Sequence, residues 1–302
     1  MNIFSFSAEF GSEESCRSHF KGERDKLGVV CKCGNTTHYW KKDKWSYECK
    51  LCRSRTSLRK GTIMENSNLP FLIWYTTMFL LSCTKKGFSS KEIQRQLGLK
   101  RYEPVWAMVH KLRKAMGNRE SRYTLEGMIE MDEGFFTVSS SEIAKSKGIR
   151  GKGAVGKANV AILAESTPIE DIDTGKQSRQ ARYFKAKVLD SHNSEAINEM
   201  VKESIDETSI VFTDKSKSYV DIADFVELHV TEKSDKNTTK TSLKWVHLTI
   251  SNAKRNLLGN YHKIKRKYLQ LYLNEFIYKL NRRYFGEHIF DRLVIANITG
   301  LG

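Results

Sequence analysis

Between residues 123 and 214 the hydrophobic positions gather into short runs. Met128, Ile129, Met131, Phe135 and Phe136 form one such run, which carries Asp132 and Glu133 in its middle. A run of this length, bounded by Gly127, predicts a buried or half-buried strand. Ser209-Ile210-Val211-Phe212-Thr213-Asp214 repeats the pattern and also delivers an acid. Two more strands are expected near Lys157–Ala164 and Ala181–Val188, and Ile197, Met200 and Val201 predict a helix over Ser194–Ile205. From Trp245 onward the period is helical, with Tyr268, Leu269, Tyr272, Leu273, Phe276, Ile277 and Leu280 forming a core face. This order predicts an α/β class, a mixed sheet with helices on its faces.

Upstream, the spacing predicts three helices. Leu69–Ser82 is largely apolar, with Pro70 in its first turn. Ser89-Ser90-Lys91-Glu92 reads as a capping box opening a helix that carries Ile93 and Leu97 and stops at Gly98. A third helix is expected over about Glu103–Ala115. Two helices joined by a glycine-containing turn resemble a helix-turn-helix, and His110, Lys111, Arg113 and Lys114 on the third helix could meet phosphates. A plain three-helix linker is the competing reading. Residues 1–26 are mixed and polar, a short helical or flexible lead-in with no assigned function.

Cysteine spacing adds a small metal module. Cys31-Lys32-Cys33 and Cys49-Lys50-Leu51-Cys52 flank two short expected strands, Thr37–Trp40 and Trp45–Glu48, joined by the charged turn Lys41–Lys44. Four thiolates from two hairpins suit one Zn²⁺, which would hold together about 40 residues too few to build a core alone. The first pair is one residue shorter than the usual C-x2-C knuckle, which leaves open a partial site with His38 in place of Cys31. Cys16 and Cys83 are expected to be ordinary thiols.

Charge then points to the partner. With 51 Lys+Arg against 35 Asp+Glu among 302 residues, the formal charge is +16. Such an excess commonly serves nucleic acid, with a membrane surface the weaker alternative. No apolar run reaches the roughly 18 residues of a membrane span, and no basic-then-apolar leader opens the chain, so a cytoplasmic protein is expected. The segment Ser139–Gly156, with Lys145, Lys147, Arg150 and Lys152, is either a phosphate-contacting loop or a solvated linker. A carboxylate inside a strand is costly unless a cation neutralises it, so Asp132 and Asp214 suggest a site for a hard cation such as Mg²⁺.

At Asp132, Asp214 and the segment His247–His262, which contains Asn252, Lys254, Gly259 and Tyr261, the chain resembles bacterial DDE-type transposases of the insertion-sequence 1595 (ISXO-type) family. The cysteine region with Gly61-Thr62-Ile63-Met64-Glu65 resembles that family's zinc-ribbon head. Leu273–Phe276 and Asn281–Arg283 resemble its closing helix. The resemblance implies a lead-in at 1–26, a zinc ribbon at 27–65, a helix-turn-helix-like DNA-binding segment at 66–119 and a ribonuclease H-like catalytic domain at 123–302. It makes Asp132 and Asp214 the catalytic aspartates that hold Mg²⁺ or Mn²⁺. The third position falls to Asn252, with Lys254 on a phosphate, or to the rival Glu275. His247 and His262 are read as structural or DNA-facing, and Arg282 and Arg283 as a solvated basic end. The implied function is binding of double-stranded DNA, the element's terminal inverted repeats and its target, with metal-dependent cleavage and strand transfer. Synapsis of two ends implies a homo-oligomer. A DNA-binding regulator with a decayed catalytic unit and a nuclease that only hydrolyses are the alternatives.

Overall fold

In a computed structural model of the chain, residues 1–139, 156–170, 175, 177–190, 194–233, 235 and 241–300 are described. The expected basic segment with Lys145, Lys147, Arg150 and Lys152 lies outside them. The chain divides into two compact units. One holds Met1–Arg119 together with the residues from Tyr284 onward, and the other is Glu120–Arg283. A single unit running from 123 to the end was the sequence expectation; the chain instead leaves that unit after Arg283.

The first unit is helical around an aromatic cluster. The lead-in forms two helices, α1 (Ile3–Phe10) and α2 (Glu13–Leu27), which Asn2 and Ser12 cap through their side chains. Phe6, Phe10, Cys16 and Phe20 fall at or near helical spacing and are buried, so these residues are core rather than a flexible lead. Phe6 stacks on Phe79 at 4.4 Å, and Phe10 and Tyr75 meet Phe290 at 5.3 and 5.8 Å. Those partners lie on α3 (Phe71–Ser82) and α9 (Ile289–Thr299). A three-stranded antiparallel sheet carries the cysteines, with order β1 (His38–Lys41), β2 (Ser46–Cys49) and β3 (Arg55–Ser57). It is tied to α2: the Tyr47 hydroxyl donates to Asp25 at 2.7 Å, and the buried Arg24 guanidinium donates to the carbonyls of Leu58 and Lys60.

Ser89 caps α4 (Ser90–Gln96) by accepting the Glu92 N–H at 3.0 Å. The turn beyond uses a positive φ of 62° at Gly98, where glycine carries no steric penalty. Helix α5 (Tyr102–Glu120) runs five residues past the expected end because Ala115 and Met116 continue its buried face. Its cations are mostly not on the surface. His110 and Arg113 are buried and Lys111 donates to the Glu65 carbonyl at 2.8 Å; of the four expected phosphate contacts only Lys114 is exposed.

The second unit is a mixed α/β structure. Its five-stranded sheet has the order β6-β5-β4-β7-β8. The strands are β4 (Met128–Thr137), β5 (Lys157–Glu170), β6 (Gln177–Val188), β7 (Ile210–Asp214) and β8 (Leu228–Glu232). The first three pair antiparallel, and β4-β7 and β7-β8 pair parallel. Alternation on β4 divides its residues cleanly. Ile129 and Met131 face α6 (Ser194–Ser204), whereas Phe136 faces α7 (Lys244–Asn260) and α8 (Arg266–Asn281). Glu130, Asp132 and Gly134 share the Phe136 side.

Two contacts set α7 on the sheet. Glu130 is fully buried, and one of its oxygens accepts the backbone N–H groups of Trp245 and Val246 at 2.6 and 3.0 Å. These are first-turn donors without helical partners, so a carboxylate there satisfies both and meets the positive end of the helix dipole. Arg179 donates to the other oxygen at 3.1 Å. Four residues along the strand, a Cβ on Gly134 would lie 3.0 Å from Ile250, so the missing side chain lets the helix lie close. Near the end of this unit Arg282 is buried and paired with Glu120, and Arg283 donates to the Ala181 carbonyl at 2.7 Å. Arg282 is therefore not a solvated basic end.

Glu130→Ala leaves the α7 donors and Arg179 without their buried acceptor. We expect a loss of about 2–4 kcal/mol in urea unfolding of the full chain. An unchanged urea midpoint would remove this carboxylate from its role.

Candidate functional site

The register that pairs Met128 with Ile210 and Glu130 with Phe212, carried two residues further, sets Asp132 beside Asp214. Both are partly buried and lie on the α7 side of neighbouring parallel strands. The Asp132 carboxylate accepts the Glu133 N–H at 2.7 Å, and Asp214 accepts the Ser216 N–H at 3.1 Å. Burial pushes the Asp132 carboxyl up to about 6. The Glu133 N–H opposes that rise, the charges of Asp214 and Glu133 add to it, and Lys254 counters it. Glu133 points to the opposite face, as alternation predicts, where Ser218 donates to it at 3.1 Å and Asn159 also donates.

Helix α7 lies over this pair. His247 Nδ1 stands 3.5 Å from Asp132 Oδ2. Burial lowers the His247 pKa, and the Asp214 charge works against that. Lys254 follows seven residues later, two helical turns on, so it shares the His247 face. Its ammonium lies 5.6 Å from the Phe136 ring centroid. Asn252 is on a different side, roughly 140° around the helix from His247. It is exposed, and its Oδ1 accepts Arg255 Nη2 at 2.7 Å. The helix is continuous through both residues, so Asn252 and Lys254 do not face one way. Glu275 is 3% exposed on α8, and Lys279 donates to it at 3.0 Å. Gln270 and Asn281 of the same helix bond to β6, two strands away from β4.

The structure thus brings together Asp132, Asp214 and Lys254, and adds His247; it does not bring Asn252 or Glu275 to them. The i, i+7 relation of His247 to Lys254 was legible in the sequence and is the signal that would have found the histidine. Two carboxylates and an imidazole are donors of the kind that suit a divalent cation, and their ligand atoms are not all within 4.8 Å of one another.

In the other unit the four thiols of Cys31, Cys33, Cys49 and Cys52 all lie within 4.8 Å of one another. Among the described residues no other group of three or more metal-ligating side chains converges so closely. The Cys31–Cys52 and Cys33–Cys49 sulfurs are 3.5 and 3.6 Å apart. A tetrahedral Zn²⁺ with bonds of roughly 2.3 Å needs sulfurs about 3.8 Å apart, so the cluster fits that ion. The short first pair still folds into a tight turn, because Gly34 takes a φ of 84° and donates to the Cys31 carbonyl at 2.8 Å. N–H groups of Cys52 and Asn35 donate to Cys49 Sγ at 3.5 and 3.2 Å, and that thiol is lowered to about 6, chiefly by the Cys52 bond. His38 is not in the cluster; its Nδ1 lies 3.1 Å from the Thr36 carbonyl. It does not replace Cys31.

One consequence of the Asp132 environment is measurable. Between its ordinary value of 3.8 and about 6, the folded carboxyl keeps a proton that the unfolded chain releases. Stability therefore falls as pH rises through that window, by on the order of 3 kcal/mol for a shift of this size. Without added divalent metal, Asp132→Asn is expected to raise the melting temperature at pH 8 and to give no gain at pH 4. A gain of equal size at both pH values would contradict the assignment.

Residues 124–281 match the ISXO2-like transposase domain family. No curated protein sequence matches the chain. Among solved structures the chain is similar to the Mos1 mariner paired end complex with Mn, at 13% identity and TM-score 0.30, covering 69% of this chain and 74% of that one. A pre-cleavage Mos1 transpososome shows 11% identity and TM-score 0.26, again covering 69% of this chain and 74% of that one. The Mos1 transposase paired-end complex with left transposon end shows 12% and 0.27 over the same shares. Scores this low carry no argument about activity. The family match spans more than half of the chain and takes in Asp132, Asp214, His247 and Lys254, and on that ground the chain belongs to the ISXO2-like transposase domain family.

Proposed function

We propose that the chain is the transposase of an insertion sequence, binding the terminal inverted repeats of its element as double-stranded DNA and carrying out metal-dependent cleavage and strand transfer. The observation that carries this reading is the side-by-side placement of Asp132 and Asp214 on neighbouring parallel strands beneath α7. The order of three antiparallel strands extended by two parallel ones supports a ribonuclease H-like reading of the unit.

Asp132 and Asp214 hold Mg²⁺ or Mn²⁺ in this reading. When bound, such ions activate an attacking oxygen and stabilise a leaving one in an in-line displacement at phosphorus. Asp132, on the central strand, would be one of the two carboxylates that hold such an ion. Lys254 is on the same helix face and meets a substrate phosphate with its ammonium. Burial of the Asp132 carboxylate makes it costly to ionise without a cation, which favours metal capture. Water is the first attacking group and a DNA 3′-hydroxyl the second, so no side chain serves as nucleophile. Holding two ends at once requires a homo-oligomer.

The zinc ribbon and the α4–α5 pair supply end recognition. Lys50 and Arg53 lie 5.1 and 5.7 Å from the ring centroid of exposed Tyr39, a basic and aromatic patch beside the thiols. Lys91, Lys100, Arg101 and Lys114 are exposed on or near the α4–α5 pair. Together with the formal charge of +16, these cations suit phosphate contacts.

Asp132→Asn and Asp214→Asn are each expected to lower cleavage and 3′-end joining by at least about a thousandfold while leaving DNA binding unchanged. The readout is a gel assay on DNA carrying the element's ends with Mg²⁺ or Mn²⁺. Cutting at the wild-type rate by either variant would end this reading. Elemental analysis should find one zinc per chain, and Cys49→Ser should lose it together with end binding. A chain that binds ends without zinc would remove the ribbon from recognition.

A further inference from the structure

We propose that His247 supplies an imidazole nitrogen as a third ligand of the Asp132–Asp214 metal centre, and that this ligand shifts the centre's preference from Mg²⁺ toward Mn²⁺. The inference rests on the reading of the two aspartates as metal ligands.

The distance is the first support. Nδ1 of His247 and Oδ2 of Asp132 are 3.5 Å apart, beyond the roughly 2.7–3.2 Å of an N–H···O bond. Neighbouring ligand atoms on an octahedral ion with bonds of roughly 2.1 Å stand about 3 Å apart. A shift of a few tenths of an ångström therefore turns this pair into two ligands of one ion.

The second support is that no hydrogen bond of ordinary length holds the ring among the described residues. Nε2 of His247 is buried and has no hydrogen-bond partner among the described residues. With Nδ1 turned toward Asp132 and no ordinary hydrogen bond holding the ring, the imidazole is poorly explained as a packing residue.

The third support is how firmly the residue is placed. Glu130 fixes the first turn of α7 through Trp245 and Val246, and His247 follows directly. Ile250, three residues on, rests against Gly134. Asp132 lies between Glu130 and Gly134 on the same strand face, so the helix is pinned on both sides of the histidine. The other candidates for a third ligand are turned elsewhere: the Asn252 amide oxygen accepts Arg255, and the Glu275 carboxylate accepts Lys279.

The metal preference follows from the donor. Mg²⁺ takes oxygen ligands and releases water reluctantly, whereas imidazole suits transition metals. A carboxylate at position 247 would restore an all-oxygen set.

The test uses the full-length, zinc-loaded chain titrated with Mn²⁺ alone and measured by pulsed electron paramagnetic resonance and calorimetry. The wild type is expected to show nitrogen modulation from a directly bound imidazole. His247→Gln and His247→Ala should lose that modulation and bind Mn²⁺ at least about tenfold more weakly, with melting curves confirming that they fold. His247→Glu should lower the ratio of Mn²⁺ to Mg²⁺ affinity by about tenfold or more. If nitrogen modulation is absent in the wild type, or persists unchanged in His247→Gln, while Asp132→Asn abolishes Mn²⁺ binding, the histidine is not a ligand and the aspartate reading stands. If Asp132→Asn and Asp214→Asn bind Mn²⁺ as tightly as the wild type, the aspartate reading falls and this inference falls with it.

Discussion

The carboxylate of Glu130 sits on the floor of the sheet with no access to water, and two backbone N–H groups and Arg179 share its charge. An isolated buried carboxylate costs several kcal/mol, so the arrangement persists only while α7 keeps its first turn against β4. Burial still pushes the Glu130 carboxyl up to about 7, which shows that desolvation outweighs the surrounding donors. The geometry of the site descends from this contact. With the start of the helix fixed, one turn brings His247 over Asp132 and two further turns bring Lys254 to the same side. Alternation along β4 then puts Glu130, Asp132 and Gly134 on one face, where Glu130 anchors the helix, Gly134 gives it room and Asp132 lies between them beneath α7.

Much of this arrangement could be read from residue patterns. The β4 and β7 runs declared themselves because apolar neighbours enclosed an acid; an apolar stretch behind Pro70 located α3, a capping box located α4, and periods near 3.6 located α6 and α8. Strand β8 was missed because Leu228–Glu232 has only two apolar residues, one of them exposed, and lies at the sheet edge. The helical alternative for the lead-in holds, but its place in the core was hidden by its polar majority, because Phe6, Phe10 and Phe20 find their partners far along the chain. The cations of α5 were misread for a related reason. Sequence gives charge but not direction, and His110 and Arg113 turn inward.

Of the two alternatives for the third position, Asn252 stands apart from the aspartates for a geometric reason. Residues two apart on a helix point different ways, so Asn252 and Lys254 could face one site only if α7 broke between them. It does not break. In the cysteine region the reverse held. A spacing that looked too short was accommodated by a left-handed glycine, and all four sulfurs converge.

The return of α9 to the first unit has a consequence for how the chain is made. Asn297 accepts the Ile63 N–H through its carbonyl, and Phe290 closes the aromatic cluster begun by Phe6. The unit with the five-stranded sheet is thus inserted, in sequence, into the other. A ribosome adding about 5–20 residues per second exposes the whole of Glu120–Arg283 before α9 emerges. The inserted half can therefore finish folding while the half that encloses it in sequence still waits for its last helix. The order of completion during synthesis is the reverse of the order in which the two halves begin.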